Sequence, residues 1–190
     1  MSYIGILLAA GRGSRFDPTG SSNKLLQPLA DGTPVVAASA KNLLAALADV
    51  LAVVRPGEEA IAHQLRQLGC RITVCPNADE GMAASLVHAL MQAQEAQGWV
   101  IALGDMPYVQ PSTMRALIAG LSQGAQIAAP VCQGRRGNPV AFARSLLPEL
   151  LKLRGDEGAR RLLKGFPVLE VSTDDAGIWR DIDTTDDLDA

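Results

Sequence analysis

Aromatic side chains are scarce in this sequence: Phe, Trp and Tyr make up 4% of its 190 residues. A protein that reads single-stranded nucleic acid by stacking bases on rings would have few positions for it. Histidine is rarer still, with His63 and His88 alone, too few and too scattered for a zinc site. Cys70, Cys75 and Cys132 form no CxxC pair, so they read as reduced structural thiols rather than a metal or redox centre. Long apolar runs are missing. The longest, Leu43 to Ala48, falls far below the ~18 residues of a membrane span. Met1-Ser2-Tyr3 leads into Ile4-Gly5-Ile6-Leu7-Leu8 without a basic leader, so the expectation is a cytoplasmic chain with no signal peptide and no membrane association.

What is present suits a globular enzyme or binding domain. With 48% apolar and 19% charged residues, the chain can bury a sizeable core, and residues 1–190 are expected to form one domain. Charge is uneven. Asp174 to Ala190 holds seven acids and a single base, Arg180, while the preceding 173 residues carry 16 bases and 13 acids. A mildly basic body with an acidic tail suits a small anionic ligand better than a nucleic-acid duplex, which needs a denser basic face. Solvated surface explains the same split equally well on charge alone.

Strand-like and helix-like segments alternate. Tyr3–Leu8, Val50–Val54, Arg71–Val74 and Trp99–Leu103 are short apolar runs closed by Gly or Pro, as buried strands are. Between them, Val35–Ala48 (with Thr33 as N-cap and Pro34 in the first turn), Glu58–Leu68 and Met82–Ala93 carry helical patterning, as does Pro111–Leu121 further on. Ile127–Cys132 and Val140–Phe142 flank Gly134-Arg135-Arg136-Gly137, a hairpin signal. Asp156–Leu163 reads as a short helix, Val168–Val171 as a strand and Thr184–Leu188 as a last helical turn. Such alternation predicts an α/β protein, a three-layer αβα sandwich around a mostly parallel sheet.

Parallel sheets bind ligands beyond the carboxyl ends of their strands. After the first strand comes Leu8-Ala9-Ala10-Gly11-Arg12-Gly13-Ser14-Arg15-Phe16, with Lys24 following. Gly11 and Gly13 allow a tight turn that presents backbone N–H groups to an anion, and Arg15 and Lys24 add mobile positive charge. The third glycine of a dinucleotide fingerprint and the GKS/T of a P-loop are both absent. At the end of Trp99–Leu103 stands Gly104-Asp105-Met106-Pro107. An aspartate there can hold Mg2+ against phosphates or simply cap a turn before Pro107. Arg135 and Arg136 are either a solvated turn or a clamp for a second anion. The segment Gly155-Asp156-Glu157-Gly158-Ala159-Arg160-Arg161 places acids early and bases late in its helix, which the helix dipole favours, while its arginines could also reach a phosphate. Ser14, Ser85 and Ser112 lack the surroundings of a nucleophile, and Ser85 reads as a helix-start residue.

LAAGRGSRF with NKLL, then GMAASL, LGDMP, GRRGNPVAF, GDEGARRLL and DIDTTDDL run in this order along nearly the whole chain. Together they resemble the molybdenum cofactor nucleotidylyltransferase family, and most its cytidylyltransferase branch. The resemblance implies a Rossmann-related, glycosyltransferase-A-like fold and Mg2+-dependent transfer of a nucleotidyl group from CTP (or another NTP) to a phosphorylated pterin-type acceptor. It also implies that Leu8, Ala9, Ala10, Gly11, Gly13, Gly81 and Ser85 surround the nucleotide and that Arg15 and Lys24 meet its phosphates. Asp105 and Asp183 would hold the metal, and Arg136, Asn138 and Arg160 would face the acceptor. A molybdoenzyme or its chaperone would be the downstream partner. The sequence departs from the family at Asn138, where many members have histidine, at Ala83-Ala84, where serines are common, and at Thr185, where proline is usual. The stretch Asp17 to Ser22 also lengthens the loop before Lys24.

The chemistry accounts for the residue types. An acceptor phosphate is already ionised near neutral pH, so no strong general base is needed, and catalysis is mostly positioning and charge neutralisation. Ala10 points to cytosine, because members using GTP tend to have glycine here and a methyl group crowds a purine more than a pyrimidine. GTP, a sugar phosphate acceptor, and a non-catalytic module that binds and delivers a finished cofactor stay open as alternatives. If Asp105 and Asp183 share one ion they must lie within ~8 Å, and repulsion should then raise one carboxyl pKa. Asp181 and Asp186 are their expected neutral controls.

Overall fold

A computed structural model describes residues 2–188 except 14, 18–21 and 157. Ser14, Glu157 and the middle of the lengthened loop therefore lie outside the described residues. Four strands, β1 (Tyr3–Leu8), β2 (Val50–Val54), β3 (Arg71–Val74) and β4 (Gly98–Leu103), pair in parallel. The sheet continues through β5 (Ile127–Cys132), β6 (Arg135–Arg136), β7 (Val140–Ala143) and β8 (Leu169–Ser172). Its order is β3-β2-β1-β4-β7-β5-β6, with β8 parallel to β5. β7 lies between β4 and β5 and is antiparallel to both, so β4 and β5 point the same way.

Alternation along each strand sends successive side chains to opposite faces, and both faces are apolar because both are covered. Leu7, Ala52 and Val100 pack under α1 (Val35–Ala46), α2 (Glu59–Gln67) and α4 (Pro111–Ser122) through Val36, Leu43, Ile61, Leu65 and Leu117. Ile6, Val53, Trp99, Ile101 and Phe142 pack under α3 (Met82–Gln92), α5 (Leu147–Leu150) and α6 (Arg160–Gly165) through Leu86, Leu90, Leu150 and Leu162. The result is the expected three-layer α/β architecture. Among the described residues no helix is long and apolar enough to cross a membrane.

Several local expectations are corrected. Pro34, not Thr33, takes the N-cap position of α1, whose helix stops at Ala46. Thr33 instead closes a turn, donating its N–H to Asp31 and accepting one from Leu29. Arg135 and Arg136 do not sit at a hairpin tip. They form β6, opposite Cys132 and Val131, because Gln133 (φ 50°) and Gly134 (φ 76°) make a two-residue turn with both central φ positive, the geometry that matches strand twist. The expected Asp156–Leu163 helix starts only at Arg160, since left-handed Gly155 and Gly158 break the helical path. Asp156 is therefore a loop residue. The last strand is shifted by one, to Leu169–Ser172.

Asp175 is 2% exposed. Its carboxylate accepts from the Gln110 N–H (2.8 Å), the Thr113 hydroxyl (2.7 Å) and the Gly177 N–H (2.9 Å), tying the short 3-10 helix Ala176–Trp179 to the start of α4. Asp175→Ala strands three donors, those of Thr113 and Gly177 buried, and should cost roughly 3 kcal/mol. That is a fall of about 6–12 °C in Tm for a chain of this size, with Asp175→Asn losing less. A thermal melt checks both. Burial also pushes the Cys70 thiol up to about 11, so at pH 8 only about one in a thousand is thiolate. Iodoacetamide should leave it unmodified in the folded protein and alkylate it after denaturation, as read by mass spectrometry.

Candidate active site

The carboxyl ends of β1 and β4 define the site. Past β1 the chain stays extended, with Ala9 N–H bonded to the Val53 carbonyl and Gly104 N–H to the Leu8 carbonyl, each 2.9 Å. The two strand-end loops are thus locked side by side. Gly13 (φ 64°) then turns the chain, its carbonyl accepting from Phe16 and Asp17. Asn23 caps a single 3-10 turn, Lys24–Leu26, by accepting from the Leu25 N–H. Burial of Leu25 anchors that turn and aims Lys24 inward.

The Lys24 side chain is 12% exposed. Its Nζ lies 2.6 Å from Asp105 Oδ2, 2.9 Å from the Ile182 carbonyl and 3.4 Å from Asp183 Oδ1. Arg15 Nη1 donates to the other Asp183 oxygen at 2.6 Å. Residues separated by up to 168 positions therefore converge on one point. Since one nitrogen touches both carboxylates, their separation cannot exceed the sum of those two distances, inside the ~8 Å limit for sharing an ion. The tail reaches this point because Ile182 N–H bonds to the Asp105 carbonyl at 2.8 Å. Asp187 then accepts from Asp183 N–H, Thr184 N–H and the Thr184 hydroxyl, bonds that hold its own carboxyl below the usual range.

Asp181 is not a neutral control. Desolvation by the surrounding chain raises its pKa, with the charges of Asp183 and Asp105 adding, although much of the residue still faces solvent. Asp186 remains the usable control.

Beside this cluster opens a cavity of 480 Å³, a size suited to a small-molecule ligand. Leu8, Ala9, Ala10, Gly11, Lys24 and Asp105 line one side, and Gly81 and Ser85 the other. Gly81 (φ 112°) lets α3 approach the Gly155 loop: a Cβ there would sit 2.5 Å from Asp156 Oδ1 and 2.7 Å from the Gly155 carbonyl. Ser85 is buried in the first turn of α3. Gly13 and Arg15 do not line the cavity. Arg136, Asn138 and Arg160 lie away from it: Arg136 pairs with Glu170 at 2.7 Å, Asn138 N–H bonds to the Ile178 carbonyl, and Arg160 opens α6. Among the described residues Ser112 donates only to Gln110, so no nucleophile forms there.

One part of the wall had no place in the sequence reading. Asp79 lines the cavity with Arg12, which grips it through Nε (3.0 Å) and Nη2 (2.6 Å), and Arg55 reaches the same carboxylate. Arg12 holds the Asp79 carboxyl below its ordinary pKa. Asp79 follows β3 at the same sheet edge, so the strand-end rule that singled out Asp105 would have found it too.

Among the described residues no group of three or more His, Cys, Asp or Glu side chains is arranged for a metal. Two carboxylates and a carbonyl already surround one ammonium, however, and an all-oxygen set with two carboxylates is what Mg2+ takes alongside phosphate and water. The residues fit such an ion.

Residues 5–173 match the MobA-like NTP transferase domain. The purine catabolism protein PucB of Bacillus subtilis is 31% identical, over 98% of this chain and 94% of that protein. The crystal structure of Rv0371c from Mycobacterium tuberculosis superposes with a TM-score of 0.84 at 30% identity, covering 98% of this chain and 95% of that one. Its complex with manganese gives 0.81 at 29% identity, with the same coverage.

Proposed function

The chain belongs to the MobA-like NTP transferase family of nucleotidyltransferases, and from that premise we propose that it transfers CMP from CTP to the phosphate of a molybdopterin-type acceptor. The observation that carries the reading is the convergence of Lys24, Asp105 and Asp183 at the mouth of a cavity walled by Ala9, Ala10 and Gly11. The cavity takes the nucleotide, with the Ala10 methyl narrowing the room for a base. An acceptor phosphate oxygen attacks the α-phosphorus, a new P–O–P bond forms, and the bond to the leaving pyrophosphate breaks. Lys24 and Arg15 hold the phosphates by exchanging carboxylate partners for phosphate oxygens, which costs little because charge-assisted bonds replace one another. Asp105 and Asp183 would hold Mg2+, which would neutralise charge on the triphosphate as the α-phosphorus is attacked. The complex of Rv0371c with manganese supports a divalent ion for a protein of this kind. The product would pass to a molybdoenzyme or its chaperone in the cytoplasm.

The test is pyrophosphate release with CTP, GTP, UTP and ATP crossed with molybdopterin and sugar phosphates, with and without Mg2+. Release from CTP with molybdopterin, dependent on Mg2+, is expected. Equal rates from GTP would remove the case for cytosine, and release with sugar phosphates alone would change the acceptor. CTP binding without release for any acceptor would leave a binding or delivery module.

A further inference from the structure

The carboxyl edge of the sheet continues past Asp105, away from the nucleotide cavity. β5 runs parallel to β4, so Cys132 at its end and Arg135 opposite it lie on that edge. Asn138 and Pro139 enter β7 beside Leu103 and Met106. Asn138 is bonded to Ile178, and the next residue is Trp179. The Trp179 indole N–H donates to the Arg135 carbonyl at 3.3 Å, and the Arg135 guanidinium sits 5.3 Å from the ring centroid. One residue on, Arg180 lies 4.0 Å over the ring of Tyr108. The platform is rigid: Asp175 pins the 3-10 helix to α4, and Gly177 is so close to Tyr108 that a Cβ would meet its carbonyl at 2.2 Å. Two short stretches tie it to the carboxylates, Asp105 to Tyr108 and Trp179 to Asp183. Asp105 and Asp183 thus stand between the cavity on the α3 side and this cation–aromatic surface on the β5 side. Group transfer requires such an order, with donor and acceptor approaching from opposite sides.

In a chain so poor in aromatics, two arginine–aromatic stacks at one edge form a distinctive surface. Among the described residues Arg135 has no carboxylate partner, and Trp179 is partly exposed. An indole face with a guanidinium beside it offers stacking to a flat ring and charge to a phosphate; a saturated sugar ring has only a C–H face, without π electrons for the indole and guanidinium to stack on.

We propose that Trp179 and Arg135, backed by the Tyr108–Arg180 stack, form an acceptor subsite that selects a planar heteroaromatic phosphate over a sugar phosphate. This rests on the transfer reaction proposed above and names where its second substrate binds. The experiment is calorimetric titration of the full-length protein with a pterin monophosphate, glucose 1-phosphate and inorganic phosphate, in wild type, Trp179→Ala, Trp179→Phe and Arg135→Ala. Circular dichroism verifies each fold. The expected result is that the pterin monophosphate binds more tightly than the other two. Its Kd should rise about tenfold or more in Trp179→Ala, rise in Arg135→Ala and be partly restored in Trp179→Phe, with the Kd for CTP unchanged throughout. Trp179 fluorescence should be quenched on binding, while Trp99, fully buried, should not respond. Unchanged pterin affinity in both alanine variants, or glucose 1-phosphate binding as tightly as the pterin, would overturn the proposal. Pyrophosphate release is read in parallel. Trp179-dependent pterin binding without release upholds the subsite and defeats the transfer reaction instead.

Discussion

Lys24→Ala is expected to lower kcat/KM for nucleotidyl transfer by about 30- to 1,000-fold, the loss of one charged transition-state contact at roughly 2–4 kcal/mol. A second effect separates this lysine from an ordinary surface charge. Its ammonium lies between Asp105 and Asp183, so its removal leaves Asp105 without its ion-pair partner and Asp183 with Arg15 alone. The variant should melt lower than wild type in EDTA. It should also gain more Tm from added Mg2+, because a ligand that binds only the folded form stabilises it in proportion to ln(1 + [L]/Kd). Thermal melts against Mg2+ concentration, beside steady-state kinetics, read both effects. Unchanged turnover would move phosphate binding to Arg12 or Arg15.

Asp105→Asn and Asp183→Asn should each abolish most metal-dependent activity, and the double variant should cost little more than either single change. Groups that act as one unit are strongly non-additive, whereas independent sites would multiply their losses. Asp186→Asn should leave turnover within about twofold, as a surface change away from the cluster. Asp181→Asn is informative in another way. It removes a negative charge close to both carboxylates, so it should loosen their hold on a cation. The readout is the Mg2+ concentration for half-maximal activity, which should rise modestly for Asp181→Asn and steeply for the other two. Equal, multiplicative losses at Asp105 and Asp183 would mean that the two do not share an ion.

The layers were legible because continuous apolar runs such as Val50–Val54, buried throughout, and helical faces such as Ile61/Leu65 report burial directly. Ile127–Cys132 and Val140–Ala143 do pair, as a hairpin signal implies. What the pattern could not reveal is that the turn sits at Gln133-Gly134, which makes a strand of the two arginines, or that β7 enters between β4 and β5. The Asp156–Leu163 helix failed for a backbone reason: two left-handed glycines outweigh favourable acid-then-base ordering. At the site, Gly11, Gly13 and Asp105 stood out at strand ends, the one place where local sequence and parallel topology coincide. Asp183 had no such local mark, and only the ordered series of motifs singled it out. Asp79 stands past the end of β3, where the strand-end rule applies, but its pairing with Arg12 and Arg55, 67 and 24 positions away, leaves no periodic trace in the sequence.

The insertion of β7 has a consequence for the order in which a ribosome can build this molecule. β2 to β4 are each adjacent, in the sheet, to a strand already synthesised, so a parallel half can assemble once Leu103 has emerged. β5 cannot follow suit. Both of its long neighbours, β7 and β8, come later in the chain, and the β4 edge it would otherwise reach is reserved for β7. For the time it takes to translate Ala128 to Val140, an apolar strand and an open sheet edge coexist in the nascent chain without being able to pair natively. That interval is where a chaperone would be most needed and where a misfolded β4–β5 pairing would form.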